Sequence, residues 1–138
     1  TVPFSKETTL YLLEDPLYFT QFQFHAQKLV LHRASMQYYA SYLQSKGYVV
    51  QYIEVLKLSS LENIFKALVD EGYKEIHYTN TCDYLLERRL SRYAKRYSFK
   101  LIKKETENFL LTVAEFENML GKNKKYFMAP FYIQQRKK

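Results

Sequence analysis

Apolar residues in this chain fall into short runs, separated by longer stretches in which they recur every three or four positions. Thr8–Leu13 (Thr-Thr-Leu-Tyr-Leu-Leu) is one such run, closed by Glu14-Asp15-Pro16. It reads as a buried strand, because Pro16 cannot continue a ladder. Phe24 to Lys46 is long and proline-free and stops at Gly47, which predicts a helix with glycine at its C-terminal end. Tyr48–Ile53 is rich in β-branched and aromatic residues and predicts the next strand. Ser59-Ser-Leu-Glu62 has the form of a capping box, and Leu61, Ile64, Phe65 and Leu68 then follow at helical spacing up to Gly72. Lys74–Tyr78 predicts a strand. Thr81 is the expected cap of another helix, whose apolar stripe is Leu86, Leu90, Tyr93 and Tyr97. Phe99–Ile102 predicts the last strand. A second capping box, Thr112-Val-Ala-Glu115, precedes Phe116, Met119 and Leu120 on the expected buried side, with Gly121 at the end.

Strand and helix alternate four times. Apolar strands joined by amphipathic helices imply crossover connections and a mainly parallel sheet. The expected fold is therefore α/β: a three-layer, Rossmann-like domain with four or so strands and helices on both faces. The pattern divides the chain into an α/β domain over residues 1–125 and an aromatic, basic exit segment over 126–138. That segment, Tyr126-Phe-Met-Ala-Pro-Phe-Tyr-Ile-Gln-Gln-Arg-Lys-Lys138, reads as a joint, since its aromatic residues need something to pack against.

Composition narrows this picture only a little. The 138 residues suffice for one core, with 47% hydrophobic and 25% charged residues, as in a globular protein. Fourteen tyrosines and no tryptophan suit half-buried faces, interfaces and ligand pockets alike. The net charge of +7 suits an anionic partner, but Lys122, Lys124, Lys125, Arg136, Lys137 and Lys138 crowd one end, where a solvated tail explains them equally well. Cys82 stands alone, which excludes a disulfide framework and a cysteine-built metal cluster and points to the reducing cytoplasm. No apolar run approaches the ~20 residues that span a bilayer, so no membrane partner is expected.

In a parallel sheet, ligands gather outside the carboxyl ends of the strands. No glycine-rich phosphate loop stands there, because the three glycines are far apart. Glu14 and Asp15 follow the first strand, either as an acid–base pair or as the start of a turn. On the long helix, His25, Lys28, Leu29, His32 and Met36 share one side, flanked by Arg33. That side is either the wall of a pocket for a polar aromatic ligand, with His25 and Lys28 as donors, or an ordinary solvated face. His77 lies on a strand with no partners to complete a metal site. Arg88, Arg92, Lys95 and Arg96 lie away from the apolar stripe of their helix, either to track phosphates or simply to face water.

The run Leu12-Leu-Glu-Asp-Pro-Leu-Tyr-Phe19, then Phe24-His-Ala-Gln-Lys-Leu-Val-Leu-His-Arg-Ala-Ser-Met36, resembles the N-terminal domain of the deoxyribodipyrimidine photolyase-related proteins, the iron–sulfur bacterial cryptochromes and photolyases. Gly47–Ile53 resembles the strand that follows in them, and Phe109–Phe116 and Met128–Lys137 resemble the segment that leads into their helical flavin domain, all in order. The resemblance implies a Rossmann-like antenna module that packs on a helical flavin domain. It also implies a possible light-harvesting chromophore, a ribityllumazine in some members, near Leu13, Glu14, Tyr18, Phe24, His25, Lys28 and His32. FAD, a four-iron cluster and contact with DNA belong, by the same resemblance, to the rest of the parent protein, a DNA photolyase (a lyase) or a photoreceptor.

These residues alone are thus expected to run no catalysis. The family's opening strand, which would lie mid-sheet, has no counterpart in Thr1–Glu7. Its lack predicts an altered strand order, or a second copy covering the exposed edges, and so a possible homo-oligomer. Two other readings of the residues stand beside the antenna module: a basic nucleic-acid-binding accessory module, and a small enzyme of nucleotide-like substrates using Glu14 and His25.

Overall fold

Pro16 fixes where the first strand must end, and the chain obeys it. In the computed structural model, which describes residues 4–58, 60–106, 108–109, 111–120 and 127–137, the strand β1 (Thr9–Leu13) gives way to a single helical turn, α1 (Pro16–Phe19). Asp15 caps this turn by accepting the Leu17 N–H at 2.7 Å. The sequence pattern did not reveal α1, because four residues are too few to display a period. The long helix α2 (Ala26–Ser45) starts two residues later than expected from Phe24, since His25 is its cap. It ends at Gly47, whose φ of +84° is open to glycine at no steric cost.

There follow β2 (Val49–Ile53), α3 (Leu61–Asp70), β3 (Glu75–Thr79), α4 (Tyr84–Arg96), β4 (Lys100–Lys104), α5 (Val113–Leu120) and α6 (Met128–Gln135). Ser60 caps α3 by accepting the Glu62 N–H at 3.0 Å. The Glu62 carboxylate accepts from the Tyr97 hydroxyl at 2.6 Å and pairs with Arg96; the expected box begins at Ser59, which lies outside the described residues. Asp83, not Thr81, caps α4: Cys82 adopts φ +54°, and the reversal delays the helix to Tyr84. The Thr112–Glu115 box does form. Thr112 N–H donates to Glu115 Oε2 at 2.8 Å, and Glu115 N–H donates to Thr112 Oγ1 at 3.2 Å.

The α/β class stands, but the continuous four-stranded sheet does not. β1 and β2 pair in parallel, Thr9 opposite Val49 through Leu13 opposite Ile53. β3 pairs with β4 in a separate ladder. There the Lys100 N–H reaches Lys74 O at one end and the Asn80 N–H reaches Lys104 O at the other, so these strands also run parallel. Among the described residues no ladder joins β1 to β3. Each pair is closed by its own crossover helix, α2 or α4, so each can form without the other, and apolar runs specify strands without specifying which edges meet.

What the two ladders share is a side-chain core. Leu61, Phe65 and Leu68 of α3, Ala94 of α4 and Phe99 are buried together, with Tyr11 and Leu13 of β1, Ile76 of β3 and Leu101 of β4 packed on them. Leu86, Leu90, Tyr93 and Tyr97 join the same cluster, as the stripe on α4 predicts. Phe65 is its hub: its ring lies 5.7 Å from Tyr93, 6.5 Å from Tyr97 and 5.7 Å, edge-on, from Phe99.

The described chain divides into two units, residues 1–77 with 82–102, and residues 78–81 with 103–138. Within the second, the Phe116 ring meets Phe131 edge-on at 6.2 Å, and Gln135 Nε2 donates to Met119 Sδ at 3.5 Å. Phe116 nevertheless stays largely exposed rather than buried as expected. Gly121, Lys122, Lys124, Lys125, Tyr126 and Lys138, and the side chain of Leu120, lie outside the described residues. No helix among the described residues is long and apolar enough to cross a membrane.

Candidate functional site

The carboxyl ends of β1 and β2 are tied together by Glu14. Its backbone N–H donates to Ile53 O at 3.0 Å, extending the ladder by one step. Its side chain is fully buried. Oε1 accepts from Arg33 Nε and from the Tyr52 hydroxyl, each at 2.6 Å; Oε2 accepts from Arg33 Nη2 at 2.6 Å and from the Val55 N–H at 2.9 Å. Burial pushes the carboxyl upward, but the hydrogen bonds from Arg33, Tyr52 and Val55 and the charge of Arg33 outweigh it and hold the group at about 2. Burial and the bond to Glu14 push the Tyr52 hydroxyl well above the usual tyrosine range. A carboxylate has about four acceptor positions, and all are filled.

Glu14 is thus the floor of the crevice and has no acceptor position left for a ligand. It does not form an acid–base pair with His25, whose Nδ1 accepts the Gln27 N–H at 3.2 Å and so caps α2. Leu13 likewise belongs to the core.

The remaining expected residues form two neighbouring groups: Tyr18 of α1 with His32 of α2, and Phe24, just before α2, with Lys28 of α2. The His32 ring lies 5.2 Å from Phe19 and 6.0 Å from Tyr18. Lys28 Nζ sits 4.1 Å from the centre of the Phe24 ring, which meets Phe22 edge-on at 6.3 Å. Arg33 lies over Phe19 at 5.4 Å. The result is an aromatic shelf with cationic and imidazole edges. The i, i+4 spacing of Lys28 and His32, read from sequence, does bring them to one side with Tyr18 and Phe24.

Asp15 continues the site toward α4. Oδ1 accepts the Leu17 N–H and lies 3.5 Å from Arg89 Nη1, while Arg89 Nη2 donates to Gln21. Oδ2 is buried and has no hydrogen-bond partner among the described residues. An acceptor left so costs ~1–3 kcal/mol, and a bound N–H or O–H donor is what such an atom lacks. The Tyr18 hydroxyl donates to Asp83 Oδ2 at 2.8 Å, and burial, this bond and the charges of Asp83 and Asp15 push it up to about 12. Asp83 is lowered by the Leu86 N–H it caps and by Tyr18.

Tyr52 and Arg89 were not legible as site residues, and Arg33 was legible only as a flank of the long helix's candidate side. Each joins its carboxylate across 19 to 74 positions of chain, and no local spacing signals such a meeting. Among the described residues, no three His, Cys, Asp or Glu side chains are grouped to hold a metal ion.

This donor set fits a flat, neutral or anionic heteroaromatic molecule: ring faces from Tyr18, Phe24 and His32, and donors from Lys28 and His32.

A family model described as deoxyribodipyrimidine photo-lyase-related protein matches residues 3–138. The chain is also similar to the uncharacterized protein R852 of Acanthamoeba polyphaga mimivirus, 34% identical over 136 residues, an alignment that covers 92% of this chain and 68% of the relative.

Proposed function

The chain belongs to the deoxyribodipyrimidine photo-lyase-related family, and from that membership we propose that it is a non-catalytic N-terminal module of a photolyase- or cryptochrome-like flavoprotein. The module docks a light-harvesting chromophore of the ribityllumazine class and packs on the helical flavin domain of its parent. FAD, a four-iron cluster and DNA repair or light sensing belong to that parent. The observation that carries the reading is the aromatic shelf of Tyr18, Phe24, Lys28 and His32 at the carboxyl ends of two parallel strands. Leu13, Glu14 and His25 serve it as floor and cap. A bound chromophore supplies light absorption; the residues hold and orient it.

The docking role is supported by the outer face of α2. Leu31, Ala34, Tyr38 and Tyr42 are exposed there, with Leu31 at 69% and Tyr38 at 75%. The serines beside them bond to carbonyls of the helix itself, Ser35 donating to Leu31 O, Ser41 to Gln37 O and Ser45 to Tyr42 O. Lys46 closes the C-terminal end of this face, its Nζ 5.5 Å from the centre of the Tyr42 ring, and tyrosine-rich surfaces poor in charge are typical of interface centres. The free edges of β1 and β3 also favour a second copy of the chain as partner, which sedimentation of the purified protein would reveal as a dimer.

The test is spectroscopic. Full-length protein reconstituted with 6,7-dimethyl-8-ribityllumazine should retain violet absorption through gel filtration, and the Lys28→Ala/His32→Ala variant should lose it. Retention by that variant, or a colourless reconstituted wild type, would refute the chromophore reading.

A further inference from the structure

α4 carries two opposite faces. Leu86, Leu90 and Tyr93 enter the core, while Tyr84, Glu87, Arg88, Ser91, Arg92 and Lys95 line a shallow depression of about 440 Å³ on the side facing solvent. The helix's other two arginines are spoken for. Arg89 binds Asp15 and Gln21, and Arg96 pairs with Glu62 at 2.9 Å. Arg88 has its guanidinium 5.6 Å from the centre of the Tyr84 ring, and Tyr84 is 73% exposed.

We propose that this face binds single-stranded nucleic acid, with Arg88, Arg92 and Lys95 on successive phosphates and a base stacked on Tyr84. The three cations lie four and three positions apart, ~6 Å and ~4.5 Å along the helix axis, so they form a line suited to a repeating anion and not to a single one. Glu87 beside them leaves the face net cationic. An exposed ring adjoining a cationic track is the combination by which proteins hold unpaired strands, because every base offers a flat face to stack. An anionic membrane fits less well, since Tyr84 and the partly exposed Leu85 are the large apolar residues beside this track, too few to make a face that enters the acyl layer. The proposal does not rest on chromophore docking.

Fluorescence anisotropy of full-length protein with a labelled mixed-sequence 20-mer tests it, over ~50–200 mM salt. Each phosphate contact on a single strand contributes ~0.7 to the slope of log affinity against log salt. The Arg88→Gln/Arg92→Gln/Lys95→Gln variant should therefore show a slope shallower by about 2. Lys46→Gln/Lys57→Gln/Lys66→Gln removes the same charge from other exposed positions and should leave the slope nearly unchanged. Tyr84→Ala should weaken single-strand binding roughly tenfold or more and leave any duplex binding alone. Equal losses in the two triple variants would reduce the effect to net charge and overturn the proposal. So would binding to phosphatidylserine vesicles but not to the 20-mer, or no loss with Tyr84→Ala. All substitutions are on solvent-facing positions, and unchanged far-UV circular dichroism separates lost binding from lost folding.

Discussion

Replacing Glu14 by glutamine changes shape hardly at all and charge completely, and the structure gives its cost in two ways. The folded-state value of about 2, against an ordinary 4.5, is worth roughly 3 kcal/mol at ~1.4 kcal/mol per tenfold change in proton affinity. Independently, an amide nitrogen in place of either carboxylate oxygen deprives two donors of their acceptor, at ~1–3 kcal/mol each for those that stay buried. Arg33 is 40% exposed and partly recovers its hydration, which keeps the total near the lower figure. Glu14→Gln should therefore destabilise the protein by ~3 kcal/mol at neutral pH in urea unfolding followed by far-UV circular dichroism. The difference must also depend on pH. Because the carboxyl binds its proton more weakly in the folded state, its contribution is complete above about 4.5 and disappears as pH falls through about 2. Wild type and variant should converge on acidification. A gap below ~0.5 kcal/mol at pH 7, or one that stays constant down to pH 2, would refute the role of Glu14 as a buried, fully satisfied anion.

Other perturbations follow from the same coordinates. Phe65→Ala empties the hub of the core and should cost ~3–5 kcal/mol in the same unfolding assay; a smaller loss would mean that Tyr93, Tyr97 and Phe99 collapse into the space. Gly47→Ala introduces no clash, since the added carbon would meet Lys6 Nζ only at 3.9 Å, so its cost is the left-handed backbone alone, ~1 kcal/mol, visible as a few degrees in Tm. Asp83→Ala removes the bond and one of the charges that raise Tyr18 while leaving its burial and Asp15, so one tyrosine should titrate below about 12 by tyrosinate absorbance, and Tyr18→Phe should abolish that difference.

Local signals along the chain placed every strand to within a residue or two. The reason is that runs such as Val49–Ile53 are apolar, β-branched and bounded by turn residues, and that pattern is set by neighbours in sequence. The stripe of α4 was readable because apolar and charged residues segregate on it. α2 was not readable in the same way: Val30, Leu31 and Tyr38 are exposed while Ala40 and Leu43 are buried, so hydrophobicity does not mark its inner face. The start of α4 shifted because two capping residues competed, Thr81 and Asp83, until the turn at Cys82 decided between them. Glu14 was visible as a carboxylate at a strand end, but its role was set by Arg33 and Tyr52, residues distant in sequence. Strand pairing was hidden for the same reason. Nothing local to β1 or β3 says that their edges do not meet.

That division of the β-layer bears on how the molecule yields under stress. Within each ladder, separation breaks peptide hydrogen bonds; between the two halves, among the described residues, the apolar contacts of Tyr11, Leu13, Ile76 and Leu101 around Phe65 are joined by the links of Arg89 to Asp15 and Gln21 and of Tyr18 to Asp83. A seam of that kind parts by sliding, so in native-state amide exchange the two βαβ halves should each retain protection of their own, with their facing margins the first to admit solvent.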